Sequence, residues 1–470
     1  TNLKFYTTSD HKSELHKYYS FLEHSGTNSE TLTIYWYWNP YISDEEDSKF
    51  INIDSIEANV RVSAVQISEY AYMKNGVTPN YETYEITYDY FWKDDYRPYI
   101  RTITFGNDLS NLPSSCTEDN LCWDISYSST QSKKVYGYLV DSGLIVDEID
   151  TSTSTTTTKK LYNLYIVSEA PIFAPTNCDF AFSFAKYENN RIITNLQLIN
   201  FNNNFNTSKV TNMRSMFEGC SSLTSLDLSS FNTSKVVNID SMFYGCSSLT
   251  SLNLSNFNTS NVTSMESTFC ECSSLTSLNL SNFNTSNVTS MGSTFCECSS
   301  LISLDLGSFN TSKVTHMSSI FNGCSSLNNL NLSGFNTSNI TDMSGMFYGC
   351  SNLISLDLTG FNTKNIENMN SMFRNCFSLT ELNLSNFNTS NVTDMSFMLM
   401  NCIKLQTQIN IINPNIPNGS YRLIFSDTAT DPSAHIIIGY TTNTETIANA
   451  MRDTCTNNAA KARIELKKID

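Results

Sequence analysis

The sequence is short of positive charge: 28 Lys and Arg stand against 45 Asp and Glu in 470 residues, a formal net charge of −17. Binding nucleic acid through counterion release needs a cationic face, so that class is excluded, and anionic membrane surfaces are disfavoured for the same reason. Long apolar runs are missing too, since nothing approaches the roughly 18–20 residues of a membrane span, so no membrane insertion is expected of this segment. Enzyme fingerprints are equally absent. His11, His16, His24, His316 and His435 form no HExxH pattern, and there is no GxSxG, P-loop or dinucleotide motif. We therefore expect no enzyme, no catalytic residue, no cofactor and no metal. The chain opens at Thr1 without a charged n-region or apolar h-region, as a processed chain would, and no sorting motif stands at Asp470. A tether to a cell would then lie outside these residues. Scarce charge does not mean disorder here: 40% of residues are hydrophobic, with 24 Tyr and 28 Phe, enough for sizeable cores.

What is present is repetition. Cys220, Cys246, Cys272, Cys298, Cys324, Cys350, Cys376 and Cys402 recur every 26 residues, and so do Phe205, Phe231, Phe257, Phe283, Phe309, Phe335, Phe361 and Phe387. Eight such units fill residues 205–412. Self-similarity this strict is the mark of a solenoid, in which each unit buries little alone and stacking builds the core.

Most of the acidity lies before the repeats, with 27 Asp and Glu against 15 Lys and Arg through Asn204. Residues 31–38 (TLTIYWYW), 51–73, 84–92 and 99–105 are rich in β-branched and aromatic residues, partly alternating at period two, and read as strands. Residues 151–160 (TSTSTTTTKK) read as an exposed loop or linker, 161–167 as another strand and 178–201 as a degenerate first repeat. After Ile412, Pro414 and Pro417 are expected to break the repeat. A strand at 434–440, a short helix at 444–453 and a strand at 462–469 then read as a closing cap. The expected fold class is mixed α+β. It has a sandwich-like β-rich domain over 1–100 and a β-rich connection with the N-terminal cap over 101–204. The repeats with a parallel β-sheet and short helices follow over 205–412, and a C-terminal cap over 413–470.

Within one unit, Leu249-x-x-Leu252-x-Leu254-x-x-Phe257 matches the strand half of a leucine-rich repeat, with Leu252 and Leu254 on one face and Ser251, Asn253 and Ser255 on the other. Asn258-Thr259-Ser260 is placed to cap a short helical or 3₁₀ stretch, along which Val262, Met265 and Phe269 form one apolar face. Gly219, Gly245, Gly323 and Gly349 suit a left-handed helix end; Asn375 and Asn401 do the same, Glu271 and Glu297 less comfortably. Like on like should give eight strands in a sheet roughly 35–40 Å long at about 4.8 Å per strand.

The unit FNTSxVTxMxxMFxGCSSLTSLDLS resembles the repeat of BspA-like leucine-rich repeat surface proteins, and the resemblance covers all eight copies. Ile103-Thr104-Phe105, Trp123-Asp124-Ile125-Ser126, Tyr136-Gly137-Tyr138 and Leu164-Tyr165-Ile166 resemble the segment that often precedes such repeats, and residues 420–440 the one that often closes them. The resemblance implies a secreted or surface-attached protein used for adhesion or as part of an envelope. It carries no catalytic residue and picks no partner.

Six features offer candidate chemistry. The exposed strand face carries Asp227, Asn253, Asn279, Asp305, Asn331, Asp357 and Asn383, a candidate ligand face for glycan, peptide or a neighbouring subunit, or simply a solvated face. The eight-fold cysteine ladder reads as buried small hydrophobes rather than redox or metal groups. Cys270 and Cys296 stand apart, adding FCEC to two adjacent units at a slot expected to be exposed. Neighbouring rungs would suit a disulfide, two reduced thiols or a Cys-x-Cys metal site. Cys116 and Cys122 bracket an acidic loop, bonded or free. The Asn-Thr-Ser sequons are a structural turn ladder or glycan sites, and the acid run at 44–47 a solvated loop or a cation site. The expected function is an extracellular adhesion or binding module whose partner is a protein or glycan on another cell or matrix. The alternative is a self-associating subunit of a surface filament, sheath or layer.

Overall fold

A computed structural model of the chain describes residues 4–6, 35–37, 71–74, 96–150, 154–183, 186–188 and 191–470. Contacts divide it into two compact units, Thr1–Val65 and Gln66–Asp470. In the first, strands β1 (Lys4–Tyr6) and β2 (Tyr35–Tyr37) pair antiparallel. The sandwich expected over 1–100 and the acid run at 44–47 fall largely or wholly outside the described residues.

The second unit begins with β3 (Ala71–Tyr72), β4 (Ile100–Gly106), β5 (Cys122–Asp124), β6 (Tyr136–Asp150), β7 (Thr155–Val167) and β8 (Ile172–Phe173). There follow β9 (Lys186–Glu188), β10 (Arg191–Ile193), β11 (Leu198–Asn200) and β12 (Phe205–Asn206). A mixed five-stranded sheet runs β11-β4-β7-β6-β5, and a small parallel sheet runs β12-β8-β3. Ile103, Phe105, Leu164, Ile166 and Ile199 are buried from the first sheet. Phe105 also packs on Phe182, Phe201 and Phe205, so this core merges with that of the first repeat. The linker expected over 151–160 is corrected: Thr155–Lys160 continues β7 and pairs with Ile145–Asp150 of β6. Threonine is β-branched and suits a pleated ribbon even when, as here, every side chain from 155 to 160 is exposed.

In the repeats, Leu252, Leu254, Val262, Met265, Phe269 and Cys272 face inward and are buried, as are their apolar counterparts except the half-buried Leu330. Parallel bridges join successive rungs at Asn177, Asn212, Asn238, Ser264, Ser290 and His316, and again at Asp342, Asn368 and Asp394. All but the first step are 26 residues. Phe217, Phe243, Phe269, Phe295, Phe321, Phe347 and Phe373 stack ring on ring at 5.5–5.8 Å, within 13° of parallel.

The short helices expected in each repeat do not form; the stretch is a chain of turns. Every second N–H leaves the rung: Met265 donates to Ser290 O, Ser267 to Gly292 O, Phe269 to Thr294 O and Glu271 to Cys296 O, at 2.7–3.0 Å. The alternate N–H groups of Thr268, Cys270 and Cys272 bond three residues back. A helix would keep all of them inside. Two left-handed residues per rung, such as Ser267 (φ 51°) and Glu271 (φ 61°), turn the chain so that it alternates. Thr259 is not a helix cap either. Its buried Oγ1 donates to Asn284 O and accepts from Asn284 N, and the same bridge recurs from Thr207 through Thr363.

The eight-strand sheet is also corrected. Strand pairing appears at β13 (Ser303–Asp305) with β14 (Asn329–Asn331), and at β15 (Ser355–Leu356) with β16 (Glu381–Leu382). At Ser251–Asn253 no backbone N–H reaches the neighbouring rung. An Asx turn ends each strand early, because Ser255 N donates to Asn253 Oδ1 at 3.1 Å and so on down the face.

β17 (Gln406–Ile411), β18 (His435–Tyr440) and β19 (Ile464–Lys468) extend β15 and β16 into a five-stranded parallel sheet. Helix α1 (Glu445–Asp453) and the single-turn α2 (Asn458–Lys461) lie between β18 and β19. Pro414 and Pro417 do not break the stack: Met395, Phe397, Leu399 and Asn401 donate to Ser420, Arg422, Ile424 and Ser426, one more rung of the same ladder.

Candidate functional site

The candidate ligand face stands out from the rungs as their strands dictate. Inward leucines alternate with outward polar residues, and Asp227, Asn253, Asn279, Asp305, Asn331, Asp357 and Asn383 are all exposed. Each points its Oδ1 at the N–H two residues on, at 2.9–3.1 Å, so all seven side chains hold one orientation. That N–H from Ser229 and from Thr359 holds the carboxyls of Asp227 and Asp357 below the ordinary value. The remaining amide and carboxylate atoms face outward as donors and acceptors.

The face is hollowed over three rungs. Asn279, Asp305, Asn331, Ser277, Ser303 and Ser333 line a depression of about 540 Å³. Asn331 Nδ2 donates to Asp305 Oδ1 at 2.7 Å, tying two rungs together across its floor. Gly307 makes this approach feasible: a Cβ there would stand 2.6 Å from Asn331 Nδ2. Six of the other seven units have Ser or Thr at that position and the last has Ile411, a signal for the depression that sequence reading passed over.

Twelve of the fourteen cysteines fall into three sets; Cys178 and Cys455, free and buried, stand outside them. The ladder thiols are fully buried, and each donates to the carbonyl of a phenylalanine one rung before it, as Cys298 does to Phe269 O at 3.0 Å. Burial pushes Cys272 and Cys376 up to about 12 and also raises Cys246, Cys298, Cys324, Cys350 and Cys402. Cys116 and Cys122 form a disulfide around the turn Glu118–Asn120. Cys270 and Cys296 are free thiols on adjacent rungs, and their slot is not exposed as expected: Cys270 is buried and Cys296 half-buried. Tyr244, in the same slot one rung before, donates its hydroxyl to Glu271 Oε1 at 2.6 Å. Among the described residues no three His, Cys, Asp or Glu side chains are placed to hold a metal ion.

The sequons divide by geometry. Asn261 Nδ2 donates to Ser234 O at 2.7 Å, and Asn287, Asn339 and Asn391 repeat the bond, as does Asn365 outside any sequon, so these amides are used between rungs. Asn258 is exposed and accepts from Ser260 N through Oδ1.

One family, described as "Mycoplasma protein of unknown function, DUF285", matches at residues 176–301, 249–353, 272–376 and 328–421. The chain belongs to this family. The DUF285 matches overlap as a repeat in shifted register should, and together they cover just over half of the chain. They begin where Asn177 opens the bridge ladder and end within its last rung, so the family unit and the stacked unit coincide. No curated protein and no solved structure matches the chain.

Proposed function

We propose that the chain is a non-catalytic binding module of an extracellular or cell-surface protein, a BspA-like leucine-rich-repeat solenoid closed at both ends. Its ligand is an oligosaccharide held on the polar strand face. The observation that carries this is the depression over Asn279, Asp305 and Asn331, where amides and carboxylates held in one orientation offer alternating donors and acceptors. Sugar hydroxyls are both donors and acceptors and match such a row without needing a net charge. The Cys116–Cys122 disulfide supports an oxidising compartment.

Glycan-array binding by the full chain tests the proposal. Binding that is lost in Asn279→Lys and Asn331→Lys supports it. Binding indifferent to both substitutions, or none at all, overturns it. Ordered polymers in sedimentation and electron microscopy, without glycan binding, would favour the subunit of a filament, sheath or layer instead.

A further inference from the structure

All fourteen cysteines lie within the described residues, and twelve are free. Eleven of those twelve are buried, and Cys296 alone is partly open to solvent. Its thiol meets that of Cys270 on the adjacent rung, since both occupy one slot of the repeat and Glu271 N bonds Cys296 O at 2.7 Å beside them. Neighbouring parallel rungs bring equivalent Cα atoms within the 4.4–6.8 Å that a disulfide spans, so a bond needs no rearrangement of the backbone.

The two thiols are not equivalent. The neighbouring Cys270 thiol holds the Cys296 thiol below the ordinary value, while the Cys296 thiol raises that of Cys270, with burial adding to the rise. Glu271 and Glu297 lie alongside and oppose negative charge on Cys296, but the Cys270 thiol outweighs them. A thiolate with access is the nucleophile in disulfide exchange, and a buried neighbour within reach is the resolving thiol.

We propose that Cys270 and Cys296 form a reactive dithiol site for low-molecular-weight disulfides, with Cys296 attacking and Cys270 resolving, which closes a bond between two adjacent rungs. In the first step the Cys296 sulfur bonds to one sulfur of the small disulfide, the S–S bond breaks and one small thiolate leaves. In the second, Cys270 gives its proton to solvent and attacks the Cys296 sulfur, expelling the second small thiolate. The protein loses two thiol hydrogens and two electrons, and the small disulfide is reduced to two thiols. This site is separate from the polar strand face and does not rest on the proposed glycan binding.

The test uses the full chain, reduced and freed of reductant, and mass spectrometry of its peptides. Brief iodoacetamide treatment should label Cys296 about tenfold or more faster than Cys272 or Cys298. Oxidised glutathione should give a Cys270–Cys296 cross-link. Cys270→Ser should instead retain glutathione on Cys296, while Cys296→Ser should leave Cys270 unmodified. Other repeats place Glu218 or Asn322 in this slot, so both variants should keep the parent melting temperature. Equal labelling of Cys296 and the ladder cysteines would overturn the proposal. So would stable glutathione on Cys296 of the parent chain, or modification of Cys270 in Cys296→Ser.

Discussion

The two long sides of each rung are built from the same 26 residues yet hold together by different means. On the turn side, every second N–H crosses to the next rung, a buried threonine bridges backbone to backbone, and phenylalanine rings stack the length of the array. On the strand side, leucines pack inward, but N–H groups reach the next rung at only some positions, and Asx turns use others. Cohesion is thus concentrated on one side. The other side is left to carry Asn, Asp, Ser, Gly or Thr from rung to rung without cost to the stack.

The largest test of this contrast is Phe295→Ala, which opens a cavity between Phe269 and Phe321 and should cost about 3–5 kcal/mol. Leu304→Ala on the strand side should fall at the lower end of about 2–5 kcal/mol, and equal losses in urea denaturation would break the comparison. Next, Thr311→Val leaves both Asn336 N and Asn336 O without their partner and should cost about 2–3 kcal/mol. Exposed Thr315→Val, which loses a bond of 3.3 Å to Thr289 O and one of 2.9 Å to the His316 ring, both open to solvent, should cost about 0.5–1 kcal/mol by the same measurement.

A smaller effect is expected at the first rung. Asp179 is buried on the turn side with Oδ1 unbonded, and burial, helped by Glu218 and Asp240, pushes its carboxyl up to about 7. The folded chain then keeps a proton that the unfolded chain releases near its ordinary 3.8. Its stabilising contribution is complete below that value and is lost as pH rises through about 7. Melting temperatures of the parent and Asp179→Asn should diverge over this window, with the variant more stable at neutral pH; curves that stay parallel would refute the assignment. Smallest of all, Asp305→Ser on the polar face should change stability by no more than about 0.5 kcal/mol. Glycan binding, in contrast, should weaken.

The period, the inward leucines and the cysteine ladder were legible because each is fixed by identity at a constant spacing. The left-handed residue before each ladder cysteine was legible through Gly219 and its equivalents, and Glu271 and Glu297 adopt that conformation too. The second left-handed position was not, because serine occupies it in all but Gly345 and Phe397. Without it, Val262, Met265 and Phe269 share the spacing of a helix. Thr259 looked like a cap because its partner lies 25 residues away on another rung. Burial of Cys270 depends on the neighbouring rungs, which no single unit contains. Of the ligand face, the outward row was readable from alternation. The depression was not, since it arises from Gly307 together with the Asn331–Asp305 bond.

Hydrogen exchange on the full chain addresses the contrast between the two sides most directly. The amides of Met265, Ser267, Phe269 and Glu271 should exchange about a hundredfold or more slowly than those of Ser251 and Asn253 in the same repeat. Equal protection of the two sets would contradict the assignment of cohesion to the turn side.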